Sequence, residues 1–311
     1  MQKTALLFAG QGAQYVGMGR DLAAQLPQAN AWFERARQTL GFDLPTLCFN
    51  GPEMDLTRTE NAQPGIFVTS WAAFQLLKER APQLQYQATA GLSLGELTAL
   101  AAAGVFSFED GLNVSRQRGR FMQEACDATS GTMAAVLGMD AQTLRGVCAE
   151  ADVEMANLNC PGQIVISGEK EKVAKACELA TSKGAKRALL LPVAGAYHSR
   201  LMAGAKAKVE ALLAQTSLQP PTFSVISNVT ARPHGAPEEI RQRLVDQVVS
   251  PVRWEDSIRF LLKQGFRRFI ELGPGTTLSG FLRRIDKTAE TLNVADVPSL
   301  EATVHALAAN P

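Results

Sequence analysis

The 311-residue chain has only three histidines, five cysteines, an aromatic content of 6% and a net charge of +1. Each scarcity narrows the reading. Cys48, Cys126, Cys148, Cys160 and Cys177 are scattered, with no Cys-x-x-Cys and no Cys/His cluster. That argues against a disulfide framework and a structural zinc site, and suits reduced thiols in a cytoplasmic protein. The 31 basic and 30 acidic residues nearly cancel, so no nucleic acid or membrane surface is called for. No 18-residue apolar stretch suggests a membrane span. The opening MQKTALLFAG carries one Lys and a brief apolar run, which reads as a first buried strand rather than a signal peptide. Hydrophobic residues make up 46% of the chain, enough for a substantial core.

Strand-like and helix-like segments alternate, the pattern of an α/β protein. Strands are predicted at 4–9 and 88–92. Helices are predicted at 27–41, 62–80, 94–104 and 107–126, the last capped by Ser107. Between 132 and 193 the order becomes β-α-β-β-α-β, the split βαβ of a ferredoxin-like unit. This segment is expected to form a small domain over 128–197, inserted into a larger one made of 1–127 and 198–311. Helices at 199–214, 237–248, 254–264 and 277–285 follow, with strands at 223–228 and 267–272. The tail after Asp286 is weakly patterned.

One short motif carries chemistry. AGLSLGELTAL, residues 90–100, holds Gly91-x-Ser93-x-Gly95 between a predicted strand and a predicted helix. That is the setting of a nucleophile elbow, where a sharp turn needs small neighbours. Chance alone gives about 0.1 such matches in a chain of this length, so context matters more than the motif. The competing reading is that Ser93 and Glu96 form a capping box and do no chemistry. Leu92, beside the serine, is expected to pack beneath the turn, among groups such as those of helix 94–104.

A serine nucleophile needs a base. His234, in ARPHGAP, reads as an exposed loop residue, and His305 lies in the tail. His198 follows an apolar strand, and sites of open α/β sheets gather at the carboxyl ends of strands. No acid between 93 and 198 stands out as a third member. An amide or a backbone carbonyl could fill that role, since the task is to fix the imidazole tautomer. FAGQGAQYVGMG (8–19) is a second special loop. It could supply a backbone N–H near Gln11 to an oxyanion hole, or be an ordinary Gly-rich turn. Arg118 falls on the edge of the apolar stripe Phe108, Leu112, Gly119 and Met122. Its partner is either an internal carboxylate or a substrate.

Taken together, these stretches resemble the malonyl-CoA:acyl-carrier-protein transacylases of type II fatty acid synthesis. FAGQGAQYVGMG, GLSLGE, RGRFMQEA, NCPGQIVISG, GAKRALLLPV, HSRLM, QVVSPVRW and ELGPGTTLSGFLRRI occur in the family's order across nearly the whole chain. The resemblance implies a hydrolase-like α/β domain on a parallel sheet, with an inserted ferredoxin-like domain. It makes Ser93 the acylated nucleophile and His198 the base. Arg118 would bind the malonyl carboxylate, and the N–H groups of Gln11 and Leu94 would form the oxyanion hole. Gln247 would support His198 through its main-chain carbonyl, and Asn159 and Gln63 would line the site. The family needs no metal and no bound cofactor, malonyl-CoA being the substrate.

Two positions depart from the commonest family wording. Leu92 stands where many members have His. Tyr197, just before His198, is expected to crowd a branch on the acyl α-carbon and so to favour malonyl over methylmalonyl. The implied partner is an acidic acyl carrier protein, for which Lys183, Lys186 and Arg187 in SKGAKR offer a basic patch. A monomer is expected. The alternatives are an acyltransferase serving a polyketide synthase in trans, a serine hydrolase using His305 with Glu271 or Asp296, and a silent carrier-binding scaffold.

Overall fold

The computed structural model describes residues 2–310. The first half begins with β1 (Lys3–Phe8), α1 (Arg20–Gln25), α2 (Pro27–Leu40), α3 (Leu44–Asn50), α4 (Glu53–Thr57) and α5 (Thr59–Arg80). It continues through β2 (Ala88–Gly91), α6 (Leu94–Ala102) and α7 (Phe108–Asp127). Next come β3 (Gly131–Leu137), α8 (Ala141–Ala151), β4 (Glu154–Cys160), β5 (Gln163–Glu169), α9 (Lys170–Ser182) and β6 (Arg187–Leu190). A 3₁₀ turn (Arg200–Met202) leads into α10 (Ala203–Ala214), β7 (Ser224–Ile226), α11 (Pro237–Gln247) and α12 (Trp254–Lys263). The chain closes with β8 (Phe266–Leu272), α13 (Thr277–Ile285), β9 (Glu290–Val294) and α14 (Val297–Ala309).

The larger sheet has the order β7-β2-β1-β8-β9, and every pairing in it is parallel. A parallel sheet buried on both faces needs continuous apolar strands, and β1 is buried from Thr4 to Phe8. Alternate residues feed two cores. Leu6 and Phe8 join the cluster under α2, α5, α6 and α7. Ala5 and Leu7 join the one under α12 and α13.

Leu92 follows the same alternation. Ala88 and Ala90 face the α12/α13 cluster, and Leu92 packs there too. It does not pack among the groups of α6, whose Leu94, Leu97 and Leu100 lie in the opposite cluster. The expected neighbours were therefore on the wrong face, because period-two alternation continues past the end of β2.

The smaller sheet, β4-β5-β3-β6, is antiparallel throughout. Its order matches the ferredoxin-like reading of the sequence. α8 and α9 cover one face through Leu144, Val147, Val173 and Ala176. On the other face Met133, Ala156 and Val165 join the main core. Edge strand β4 is tied to the segment after α11: Val252 N–H donates to Ala156 O (2.8 Å) and Leu158 N–H to Val252 O (2.9 Å).

The fold class is the predicted one, and the tail is the main correction. β9 extends the parallel sheet beside β8, pairing from Arg268↔Glu290 to Leu272↔Val294. α14 begins at a capping box of Asp296 and Ser299. Only Val294 of β9 is fully buried, so an edge strand left little apolar pattern to read. The short helices α1, α3 and α4 were not predicted either.

Candidate active site

The elbow is set by backbone contact. A Cβ on Gly91 would lie 2.0 Å from Gly95 O, and one on Gly95 would lie 2.2 Å from Phe8 O. Both positions must be glycine for α6 to start so close to β1 and β2. Ser93 is thereby held at φ 53°, ψ −102°. His198 also has a positive φ, 57°. Non-glycine residues avoid this region at a cost of about 1–3 kcal/mol each, so the surroundings must enforce it. Ser93 makes no side-chain cap bond to α6, which sets aside the capping-box alternative.

Freed from capping, the Ser93 hydroxyl turns to histidine. Ser93 Oγ lies 2.8 Å from His198 Nε2. His198 Nδ1 donates to the main-chain oxygen of Gln247 at 2.9 Å. That bond places the proton on Nδ1 and leaves the Nε2 lone pair facing the serine. Burial, then the nearby Arg118 charge, pulls the His198 pKa down to about 4, against a smaller upward effect of its backbone hydrogen bonds. The imidazole is therefore neutral at pH 7 and able to accept a proton.

Arg118 comes from α7, where the sequence reading put it on the edge of the apolar stripe. It is in fact 2% exposed. Its NH1 donates to Gln63 Oε1 (2.8 Å), and its NH2 to Gln247 Oε1 (2.8 Å) and Ser93 Oγ (3.1 Å). No carboxylate pairs with it directly among the described residues. Burial draws its pKa down to about 10, partly offset by Glu96 and then Tyr197. It stays a cation.

The compensating anion stands one amide away. Gln247 Nε2 donates to Glu96 Oε2 at 2.7 Å, while Gln247 Oε1 receives Arg118. A direct pair would fill the guanidinium fork; an amide relay supplies opposite charge and leaves the fork beside Ser93.

Other predicted residues fall at varying distances from this cluster. Gln63 Nε2 donates to Gln11 Oε1 (3.2 Å), and Gln11 Nε2 to the Tyr197 hydroxyl (3.4 Å). The Tyr197 hydroxyl also bonds Thr59. Among the described residues, the backbone N–H groups of Gln11 and Leu94 donate to no backbone or side-chain acceptor. Asn159 is buried at the end of β4, but among the described residues its Oδ1 has no partner and no hydrogen bond joins it to the cluster. Lys183, capping the end of α9, and Lys186 and Arg187, at the start of β6, are exposed, with Lys183 paired to Glu150 (2.5 Å).

The hydrolase alternative loses its parts. His305 is exposed on α14 and Asp296 caps that helix. Glu271 accepts the Leu278 and Ser279 N–H groups (2.9 and 2.7 Å) at the start of α13.

One residue that the sequence did not single out, and one it offered only as half of a capping box, matter here. Asn228, just past β7, accepts Ser93 N–H on Oδ1 (2.7 Å) and donates Nδ2 to Gly91 O (2.7 Å). Its place at the carboxyl end of a predicted strand was the available signal. Glu96 accepts from Asn228 N–H (3.0 Å), Gln247 Nε2 and His234 Nε2 (2.6 Å). His234, read as an exposed loop residue, is buried, because the loop after β7 folds back onto that strand: His234 N–H donates to Val225 O (2.8 Å).

A five-stranded parallel sheet with a strained serine at its carboxyl edge and a carbonyl-oriented histidine defines an α/β protein with a nucleophile elbow. The acyl transferase domain family matches residues 5–306, and the chain belongs to that family. Malonyl CoA-acyl carrier protein transacylase of Bacillus subtilis is 44% identical over 312 residues, 99% of this chain and 98% of that protein. The structure of the malonyl CoA-acyl carrier protein transacylase from Coxiella burnetii superposes with a TM-score of 0.95 at 34% identity, covering 98% of this chain and 97% of that one. A malonyl-transacylase solved with a type II PKS acyl-carrier protein gives a TM-score of 0.95 at 36% identity, over 98% of this chain and 99% of that one. Among the described residues, no helix is long and apolar enough to cross a membrane.

Proposed function

We propose that the chain transfers malonyl from malonyl-CoA to the phosphopantetheine thiol of acyl carrier protein, through a malonyl-serine intermediate, and so supplies fatty acid synthesis. One observation carries the reading: a buried guanidinium, 3.1 Å from Ser93 Oγ, with its carboxylate counter-charge held one amide away. An acyl group that itself ends in a carboxylate completes that arrangement.

The steps follow from the geometry. Ser93 Oγ attacks the thioester carbonyl carbon as its proton passes to His198 Nε2. The oxyanion is received by the Gln11 and Leu94 N–H groups. The C–S bond breaks, and CoA leaves with the proton from His198. The carrier thiol then gives its proton to His198 and attacks the malonyl-serine carbonyl. Collapse releases Ser93 Oγ, which takes the proton back. Gln247 O keeps the imidazole in the tautomer both halves require. Intact-protein mass after mixing with malonyl-CoA tests the first half. A malonyl increment on the chain that is absent in Ser93→Ala is the expected result; no increment overturns the reading.

For the second half, the carrier is taken to dock on the exposed start of β6 in the segment 128–197, which we take as the inserted domain. Lys186 and Arg187 supply positive charge, and Leu189 and Leu190, 49% and 61% exposed, supply apolar contact on the same strand. Lys186→Glu with Arg187→Glu should raise the KM for the carrier and leave acylation by malonyl-CoA alone. Transfer to the carrier should weaken with salt. Equal effects on both half-reactions would move the docking site elsewhere.

A further inference from the structure

A second buried histidine sits behind the nucleophile. His234 and Glu96 both have fully buried side chains, 2.6 Å apart. His234 Nδ1 has no partner among the described residues, so Glu96 receives the ring's one hydrogen bond. Among the described residues, no Lys or Arg pairs with Glu96. Its two oxygens are divided: Oε1 faces His234, and Oε2 faces Asn228 N–H and Gln247 Nε2.

That division fixes the Gln247 amide. The side-chain NH₂ must point at Glu96 Oε2 and Ser93 O (3.0 Å), so the oxygen must point at Arg118. Turned the other way, the amide would set N–H groups against a guanidinium that can only donate, and its oxygen against a carboxylate. Without the His234 donor, the buried Oε1 is left unsatisfied and the carboxylate is free to turn about its axis, so Oε2 no longer holds the amide in one orientation.

We propose that His234 is a positioning residue for acyl selectivity: through Glu96 it locks the Gln247 amide that aims Arg118 at the carboxylate of the incoming acyl group. It touches neither substrate nor Ser93. The inference rests on the malonyl reading above. The relay predicts an unequal effect on two substrates. An acetyl group has no carboxylate for Arg118, so the aim of the guanidinium matters far less to acetylation of Ser93 than to malonylation. A merely structural role for His234 would lower both reactions together.

The test is the rate of Ser93 acylation by malonyl-CoA and by acetyl-CoA in the full chain, followed by intact mass. In His234→Leu the malonyl-to-acetyl rate ratio should fall at least about tenfold, the scale of one lost charge-assisted hydrogen bond. In His234→Gln, whose amide can still donate to Glu96, the ratio should stay within about threefold of the parent. Should His234→Leu fail to fold, Glu96→Gln keeps the volume and removes the divided carboxylate, and its ratio should fall likewise. An unchanged ratio in folded His234→Leu or Glu96→Gln overturns the inference, as does an equal fall in His234→Gln. A parent chain that takes malonyl no better than acetyl overturns the malonyl reading itself, and the inference with it.

Discussion

The loops after β6 and β7 each carry a buried histidine to the start of α6, and the two rings have opposite surroundings. His198 lies between a hydroxyl and a carbonyl oxygen, with a cation nearby. His234 bonds a carboxylate through Nε2, and its other nitrogen has no partner among the described residues. The first ring has an acceptor for its proton on the far side and a lone pair facing a reactive hydroxyl, which is what a base requires. The second has its one polar contact taken by an anion, which fixes it in place. Residue type and burial are alike, and the partner atoms alone separate chemistry from scaffolding.

Removing the first histidine should have the largest effect. His198→Ala should slow acylation by roughly 10²–10⁴-fold for malonyl and acetyl alike, since both need the same proton transfer. Pre-steady-state acylation rates check this; a loss confined to malonyl would place His198 with the selectivity relay instead.

Arg118→Ala should come next. Truncating one side of a buried, hydrogen-bonded charge pair costs about 2–5 kcal/mol, here read as lost malonyl acylation with acetyl spared. Comparing the two acyl-CoA substrates decides it. Equal loss for both would make Arg118 structural and leave Glu96 without a cation to balance.

A smaller, graded effect is expected from pH. The pKa of His198 is lowered, so the neutral base persists as pH falls. The acylation rate should hold from pH 7 to near pH 5 and decline only as pH passes through about 4. Because the Arg118 charge contributes to the lowering, the acid limb in Arg118→Ala should move to higher pH. A profile already falling near the ordinary imidazole pKa, about 6.5, would show that the ring is more hydrated than its burial implies.

The elements that position the site were largely legible because they are local. The apolar run of β1, the Gly41 stop of α2 and the Ser107 cap of α7 are each written in a few neighbouring residues. So is the elbow, where two glycines two residues from the serine permit the turn. β9 was not legible, since an edge strand is half exposed and its register depends on β8, some twenty residues away in the chain. Glu96 was misread for a related reason. Three residues after a serine at a helix start, it looks like half of a capping box, and only the turn of Ser93 to positive φ removes that use.

Sequence by itself determined the α/β class, the nucleophile elbow and the candidate residues Ser93, His198 and Arg118, because motif spacing and strand patterning are properties of adjacent residues. Tertiary structure alone decided that His234 is buried against Glu96 and that Arg118 is balanced by Glu96 at one remove, and it supplied the geometry by which His198 faces Ser93 and the Gln247 carbonyl orients it, which the family resemblance only implied. Those facts join residues far apart in the chain, 138 positions for Glu96 and His234, 105 for Ser93 and His198 and 49 for His198 and Gln247. A hydrogen bond is set by angles and separations of a few tenths of an ångström, and only the packed chain fixes those.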